Sequence, residues 1–390
     1  MKKPFALTFT LLLLAAACSL SMVAASQTTK SKSSGSTNRV EHSIHSDDTT
    51  WKWHLVDDDS DVQVVIRGKV EFAEDYSDVT ALAPGNSDLR VSERRGGVTR
   101  KFEATQSGGG IKRDYWVNGE SRPMDGEARA WLAGVLNKAV RQGGYDAPAR
   151  VTRLLQRGGP AAVLAEISEV KGDYVKRLYL DELLKQGNLD AETARLALGQ
   201  AAREISSDYE KAEILVKMAG SYLRDDRFRE VYLEGVNTIH SDYERGRALK
   251  AVLKKESLNK DNLLFALKSV AAISSDYEKA ELLVKTSNVF PLDEGLQKAY
   301  LDAVRTIGSD YEKGRAITAL LDKDGTKPAT LLFMAKSATE IRSDYERAQL
   351  LIRVANAGRD NEAVRNAVTE AARTIQSEYE RGRVLAAAFK

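Results

Sequence analysis

Seven times in the C-terminal two-thirds of this 390-residue chain a carboxylic acid stands directly before a tyrosine: Asp173-Tyr174, Asp208-Tyr209, Asp242-Tyr243, Asp276-Tyr277, Asp310-Tyr311, Asp344-Tyr345 and Glu378-Tyr379. The first two pairs are 35 residues apart and each later pair follows by 34. Acids in register could hold cations, and rings in register could form a surface on which peptides or planar groups stack. The same residues also have folding roles. Six acids sit inside Ser-x-x-Glu boxes: Ser207 and Glu210, Ser241 and Glu244, Ser275 and Glu278, Ser309 and Glu312, Ser343 and Glu346, Ser377 and Glu380. In such a box the serine oxygen accepts an orphan amide and the glutamate reaches back to the serine N–H, while an acid at the first helical position meets the positive end of the helix dipole. Capping therefore accounts for both carboxylates without a bound ion. For the tyrosines the preferred reading is inter-repeat packing, each ring buried against the neighbouring repeat; a peptide-binding column is the alternative.

The remaining inventory offers little catalysis. The only histidines are His42, His45, His54 and His240. Gly-x-Ser-x-Gly elbows, Walker loops, dinucleotide fingerprints and Cys/His metal sets are missing from the sequence. His42 and His45, followed by Asp47 and Asp48, have ligand-like spacing but lie in a Ser/Thr-rich stretch that reads as a solvated tail. The expectation is a non-enzyme with no cofactor and no bound metal. Lys and Arg number 58 against 56 Asp and Glu, which lacks the basic footprint of a nucleic-acid binder.

A fixed period of 34 residues is the mark of stacked repeats, with room for two helices of about 12 to 15 residues and two short turns. Three residues before each later acid stands isoleucine (Ile205, Ile239, Ile273, Ile307, Ile341, Ile375), and seven after it stands Leu215, Leu249, Leu283, Ile317, Leu351 or Leu385. These are core positions of a helical hairpin. Four after the acid the residue is always small: Ala212, Gly246, Ala280, Gly314, Ala348, Gly382. The next position alternates Glu213, Arg247, Glu281, Arg315, Gln349, Arg383. Stacked helices lie about 10 Å apart, so this alternation predicts an inter-repeat charge ladder and a true unit of two hairpins.

Upstream of the repeats the pattern changes. Residues 1–25 combine Lys2 and Lys3, an apolar run and a Val23-Ala24-Ala25 cleavage site, the features of a secretory signal peptide. The only cysteine, Cys18, ends a lipobox-like Leu14-Ala15-Ala16-Ala17-Cys18, so lipidation there is the alternative. Residues 26–50 are Ser/Thr-rich and read as a disordered tether. Residues 51–122 show short β-branched runs punctuated by Pro84-Gly85-Asn86, Arg95-Gly96-Gly97, Gly108-Gly109-Gly110 and Asn118-Gly119, as in a small antiparallel β-domain. Arg90, Arg94, Arg95, Arg100 and Lys101 fall on two adjacent strands, as a basic patch or simply as the solvent face of the sheet. Residues 123–159 read as connecting helices and residues 160–390 as the repeat array. The expected fold class is thus α+β in separate domains: an N-terminal antiparallel β-domain, then an all-α right-handed superhelix of 34-residue helical hairpins.

The hairpin period is similar to that of tetratricopeptide repeats, although the Trp, Leu-Gly and Pro positions of that family are missing, and HEAT-like α-solenoids are the closer analogy. The strings Arg113-Asp-Tyr-Trp-Val-Asn-Gly119, Ala128-Arg-Ala-Trp-Leu132, Gly158-Gly-Pro-Ala-Ala-Val-Leu164 and the Ser-Asp-Tyr-Glu tetrads make residues 97–390 resemble the extracytoplasmic C-terminal region of some BlaR-like bacterial membrane sensor and metallopeptidase proteins. The resemblance covers no peptidase domain and implies an envelope-located sensing or interaction module. Together these readings predict a periplasmic or secreted protein, or a membrane-anchored lipoprotein. It would be a non-catalytic interaction scaffold of the bacterial cell envelope with a protein or peptide partner, no nucleic acid, and membrane contact only through an N-terminal lipid. The alternative is a ligand-responsive sensor or regulatory subunit of envelope signalling that binds a cell-wall fragment or peptide.

Overall fold

The computed structural model describes residues 26–29, 41–46, 49–223, 225–253, 260–289, 294–324 and 327–390. Residues 1–25, including Cys18, lie outside that set. The chain divides into two units, residues 1–145 and 146–390. Among the described residues no helix is long and apolar enough to cross a membrane.

The first unit is an antiparallel meander of β1 Ser26–Thr29, β2 Glu41–Ser46, β3 Thr50–Val56, β4 Ser60–Arg67, β7 Asp88–Arg95, β8 Val98–Ser107, β9 Gly110–Val117 and β10 Glu120–Arg122, hydrogen-bonded in that order. A separate hairpin, β5 Val70–Phe72 with β6 Val79–Leu82, is inserted between β4 and β7. Gly96-Gly97, Gly108-Gly109 and Asn118-Gly119 all hold positive φ, as two-residue I′ turns require. The pairings Arg95 with Val98, Ser107 with Gly110 and Val117 with Glu120 close those three hairpins. Two strands lie where the composition suggested a tether. β2 pairs with β3 along its length and β1 pairs with β2, because an unpaired β3 edge offers a row of amides and carbonyls that a polar segment can satisfy without a core of its own. His42 and His45 fall in β2; their side chains are outside the described residues.

Alternation along β4 buries Val62, Val64 and Ile66, and β7 buries Leu89 and Val91 on the same layer. Helix α1, Gly126–Gly143, covers this layer with Leu132, Val135, Leu136 and Ala139. Asp125 caps its start by accepting from the Ala128 N–H at 2.9 Å, and Gly144, at φ 69°, ends it. Gly143 is required by packing: a Cβ there would come within 2.5 Å of Trp51 Cζ2 and 2.8 Å of Trp53 Cδ1. The Trp131 indole donates to Glu93 Oε2 at 2.7 Å, which supplies that buried carboxylate with a partner. On the other strands Arg90 pairs with Glu103 (2.9 Å) and Arg100 with Glu127 (3.0 Å), so those two basic residues are neutralised locally.

The second unit is an all-α stack of helical hairpins. It opens with α2, Ala147–Glu169, which is broken at Gly158 and Gly159 (φ 63°) just before Pro160, so its two arms behave as a first hairpin. The A helices that follow are α3 Asp173–Gln186, α5 Asp208–Tyr222, α7 Asp242–Leu253, α9 Asp276–Val289, α11 Asp310–Asp324, α13 Asp344–Ala357 and α15 Glu378–Ala388. Every one begins at the repeated acid. The B helices between them are α4 Ala191–Glu204, α6 Asp226–Asn237, α8 Lys260–Ala271, α10 Glu294–Arg305, α12 Pro328–Ser337 and α14 Glu362–Ala372. The six isoleucines that end the B segments and the leucines of the A helices from Leu215 to Leu351 are almost fully buried, forming a continuous seam that no hairpin could bury alone.

Neighbouring hairpins do not pack equally. On the A side the intimate pairs are α5 with α7, α9 with α11 and α13 with α15, while α3/α5, α7/α9 and α11/α13 meet more loosely. The B side is out of phase, tight for α4 with α6, α8 with α10 and α12 with α14. The contact between successive hairpins therefore alternates between two modes, and the physical unit is the pair of hairpins.

Candidate binding surface at the A-helix starts

At all six boxes the Glu N–H donates to the serine Oγ, at 3.3–3.4 Å from Glu210 to Glu380. The second half of the box is not formed. Each serine N–H instead donates to the acid of the preceding repeat: Ser207 to Asp173 (2.7 Å), Ser241 to Asp208 (2.7 Å), Ser275 to Asp242 (2.8 Å), Ser309 to Asp276 (2.8 Å), Ser343 to Asp310 (2.9 Å) and Ser377 to Asp344 (2.8 Å). The amide one residue earlier donates to the same carboxylate in every case, from Ser206 to Gln376. A short ionised side chain held on the previous helix takes two amides at once, which leaves the local glutamate free. Each aspartate thus joins two successive hairpins.

The freed glutamates turn to cations. Glu210 takes Arg177, Glu278 takes Lys250 Nζ at 2.9 Å, and Glu244, Glu312 and Glu380 take Arg247, Arg315 and Arg383 at 2.6–2.7 Å. Burial pushes the Glu210 carboxyl up even against the Arg177 charge. The predicted charge ladder exists at two junctions, Glu213 with Arg247 and Glu281 with Arg315. The Glu213 carboxylate holds the Arg247 guanidinium above its ordinary value. The ladder stops at Gln349, which offers no charge, so Arg383 bonds within its own helix. The small residue admits a carboxylate rather than a ring: a Cβ on Gly246 would lie 2.8 Å from Glu278 Oε2.

The expected burial of the tyrosines does not occur. Tyr209, Tyr243, Tyr277, Tyr311, Tyr345 and Tyr379 are 46–75% exposed, and only Tyr174 is half-buried. Arg177, Arg247, Arg315 and Arg383 lie 5.2–5.9 Å from the ring centroids of Tyr174, Tyr209, Tyr277 and Tyr379, so the inter-repeat contact of Tyr209 and Tyr277 is with a guanidinium on the next helix. The result is a column of phenols standing on a framework of ion pairs.

Two further sets of residues hold this face in place. The third residue after each acid is basic, and Lys176, Lys211, Lys279, Lys313 and Arg347 are buried and donate at 2.7–3.2 Å to the carbonyls of Glu204, Thr238, Thr306, Glu340 and Thr374. Each closes the C-terminal end of its own hairpin's B segment, where a positive charge meets the negative end of the dipole. Burial pulls the Lys211 ammonium below its usual value. Tyr232 and Tyr300, 68 residues apart, are fully buried and donate to Ala248 O (3.0 Å) and Ala316 O (2.8 Å) of the next A helix; burial drives both phenols far upward, so they stay neutral donors.

Among the described residues no group of three or more His, Cys, Asp or Glu side chains is placed to hold a metal. His54 bonds to Asp61 at 2.8 Å on the β-sheet, and the exposed His240 lies 3.7 Å from Asp208. The chemistry this surface offers is recognition by aromatic faces and fixed charges. Compared with known protein families, curated proteins and solved structures, the chain matches none.

Proposed function

We propose that this is a non-catalytic, exported scaffold of the bacterial cell envelope whose tyrosine column docks a partner protein or peptide. The observation that carries the reading is the exposure of six aromatic rings repeated in register, after capping, ion pairing and core packing have been accounted for by other residues. Aromatic anchors on a rigid framework are the usual energetic centre of a protein interface, and helical stacks present extended surfaces for that purpose. Export rests on residues 1–25 and the envelope setting on the BlaR-like strings; both support the proposal at the level of sequence. Replacing Tyr243, Tyr277 and Tyr311 together with serine should leave the circular dichroism and melting of the chain unchanged, because the rings bury little. It should also abolish recovery of a partner that the wild-type chain retains from envelope extracts. Undiminished recovery by the triple variant would refute the reading.

A further inference from the structure

Every loosely packed A-side junction brings a first-turn glutamate of one helix against the helix before it. At α3/α5, Glu210 meets Arg177. At α7/α9, Glu278 lies over Gly246 and receives Lys250 Nζ at 2.9 Å. At α11/α13 the same geometry recurs, with Glu346 Oε2 3.8 Å from the Cβ position of Gly314. The residue 68 positions after Lys250 is Thr318, too short to reach it. No cation among the described residues pairs with the Glu346 carboxylate, although the five other first-turn glutamates of the boxes each have one. This junction holds a cavity of about 310 Å³ whose lining includes Tyr311, Thr318, Glu346, Gln349 and Arg353.

The tyrosine at its mouth is also without a cation. Arg247 and Arg315 cover the rings of Tyr209 and Tyr277 from the next helix; the corresponding residue opposite Tyr311 is Gln349, and no described guanidinium lies over the Tyr311 ring. Arg315 is committed to Glu281 and Glu312. Arg353 is two turns along α13 from Glu346, about 10 Å of helix rise. One cleft is therefore lined by both this carboxylate and this aromatic ring, at the junction equivalent to the one where Lys250 meets Glu278.

We infer that the cleft between α11 and α13 receives the side-chain ammonium of a lysine presented by the docked partner, with Glu346 as its counter-ion and Tyr311 as its aromatic wall. This rests on the scaffold reading for the identity of the donor. Lys250 is the internal precedent for the ligand: one Nζ on a flexible four-carbon stem reaching the equivalent glutamate. A divalent cation is a poor match, since calcium takes six to eight oxygen ligands and magnesium an octahedral set, whereas the cleft is lined by two carboxylates, of which Glu281 is already paired with Arg315 and Glu346 alone is left. The ring adds a cation–π attraction that a neutral side chain would not obtain.

The test uses the full chain and a defined probe, Nα-acetyl-lysine-N-methylamide, followed by amide chemical shifts at Thr318, Glu346 and Gln349. Nα-acetyl-norleucine-N-methylamide, which keeps the stem and lacks the ammonium, is the control. The lysine probe should give saturable shifts and the norleucine probe none. Glu346→Gln should weaken the lysine probe at least about tenfold, and Thr318→Lys, which supplies the ammonium internally, should abolish binding. Lys250→Thr should create a second site, read as new shifts around Glu278. Equal binding of norleucine, undiminished binding to Glu346→Gln or Thr318→Lys, or no saturable lysine binding at all would overturn the assignment. Loss of the partner on tyrosine replacement together with no lysine binding would sink the cleft alone. Lysine binding with unchanged partner recovery by the tyrosine variant would sink the docking surface instead.

Discussion

The aspartate at each helix start acts on the following repeat, and Asp276→Ala isolates that effect. Asp276 Oδ2 accepts from the part-buried Ser309 N–H at 2.8 Å and Oδ1 from the exposed Gly308 N–H at 3.0 Å. A hydrogen bond to a charged group contributes about 1.5 to 3 kcal/mol net, and an amide left without a partner loses most of that unless water replaces it. Water can reach Gly308 but reaches Ser309 less well, so the bond from Ser309 carries most of the loss. Removing the charge from the first turn of α9 adds about 0.3 to 1 kcal/mol through the helix dipole. The sum is about 2 to 4 kcal/mol, against about 1 kcal/mol for Ser309→Ala, which removes only the local cap. Because a repeat stack opens locally, native-state hydrogen exchange is the direct assay. Asp276→Ala should deprotect Ser309 and the first turn of α11 more than the first turn of α9. Glu378, for which no described helix start follows, is the control, and Glu378→Ala should lose only the dipole contribution of about 0.3 to 1 kcal/mol. If Asp276→Ala were as mild as Glu378→Ala, or if exchange rose only at α9, the forward-reaching cap would be refuted.

Tyr300→Phe should cost about 1 kcal/mol in urea unfolding, since it deletes a buried hydroxyl bond to Ala316 O but keeps the ring; an unchanged midpoint would remove the hydroxyl from the account. A double-mutant cycle on Glu281 and Arg315 should give about 0.5 to 1 kcal/mol of coupling that falls with added salt, because both side chains are only about a quarter to a third exposed. Gln349→Glu should extend the ladder to Arg383 and stabilise the C-terminal hairpins by a few tenths of a kcal/mol, and a neutral result would mean that the two positions do not meet. The Thr193 N–H holds the Asp190 carboxyl below its usual 3.8. With the folded value below the unfolded one, this cap is fully stabilising above about 3.8 and is lost as pH falls through the folded value. The melting difference between wild type and Asp190→Ala should therefore shrink on going from neutral pH to strong acid, and a constant difference would contradict the assignment.

The parts of the fold that depend on neighbours in sequence were legible. Paired turn residues at Gly96-Gly97 and Asn118-Gly119, the serine caps and the isoleucine and leucine seam all act within one turn or one helix, and pattern reading operates at that range. The partner of Ser309 N–H lies 33 residues away, whereas the Ser-x-x-Glu spacing points to the local glutamate, which the distant aspartate displaces. The basic residues from Lys176 to Arg381 did carry a signal, a positive charge three after every acid, yet their targets are carbonyls, which no sequence displays. For the tyrosines, the small residue three positions later suggests a buried ring, which the helical wheel opposes. At 100° per residue the position after the acid lies about 120° round the helix from the buried position six residues later. The strands Ser26–Thr29 and Glu41–Ser46 escape a reading of composition for a related reason: an edge strand needs a neighbouring edge more than it needs apolar residues.

The alternation of close and loose junctions gives the surface a longer period than the sequence motif. A-side clefts occur at α3/α5, α7/α9 and α11/α13, every second hairpin, and two helix-to-helix steps of about 8 to 10 Å put successive clefts about 16 to 20 Å apart. An extended chain covers that distance in about five or six residues. The three clefts differ in their occupants. The first is closed by Arg177, Asp181 and Lys217, with Lys217 2.7 Å from Asp181, and the second by Lys250 over Glu278. Only the third leaves its first-turn carboxylate and tyrosine ring to an outside cation. A column of nearly identical tyrosines would by itself let an extended partner slide by one hairpin, because each register offers the same contacts. A single lysine-accepting cleft removes that degeneracy: shifting the partner by one cleft toward the N-terminus would bring its ammonium against Lys250, exchanging an ion pair for a like-charge contact. On the proposed docking, the internal lysine at one junction and its replacement by Thr318 at the next would therefore set a register that the repeated tyrosines alone could not fix.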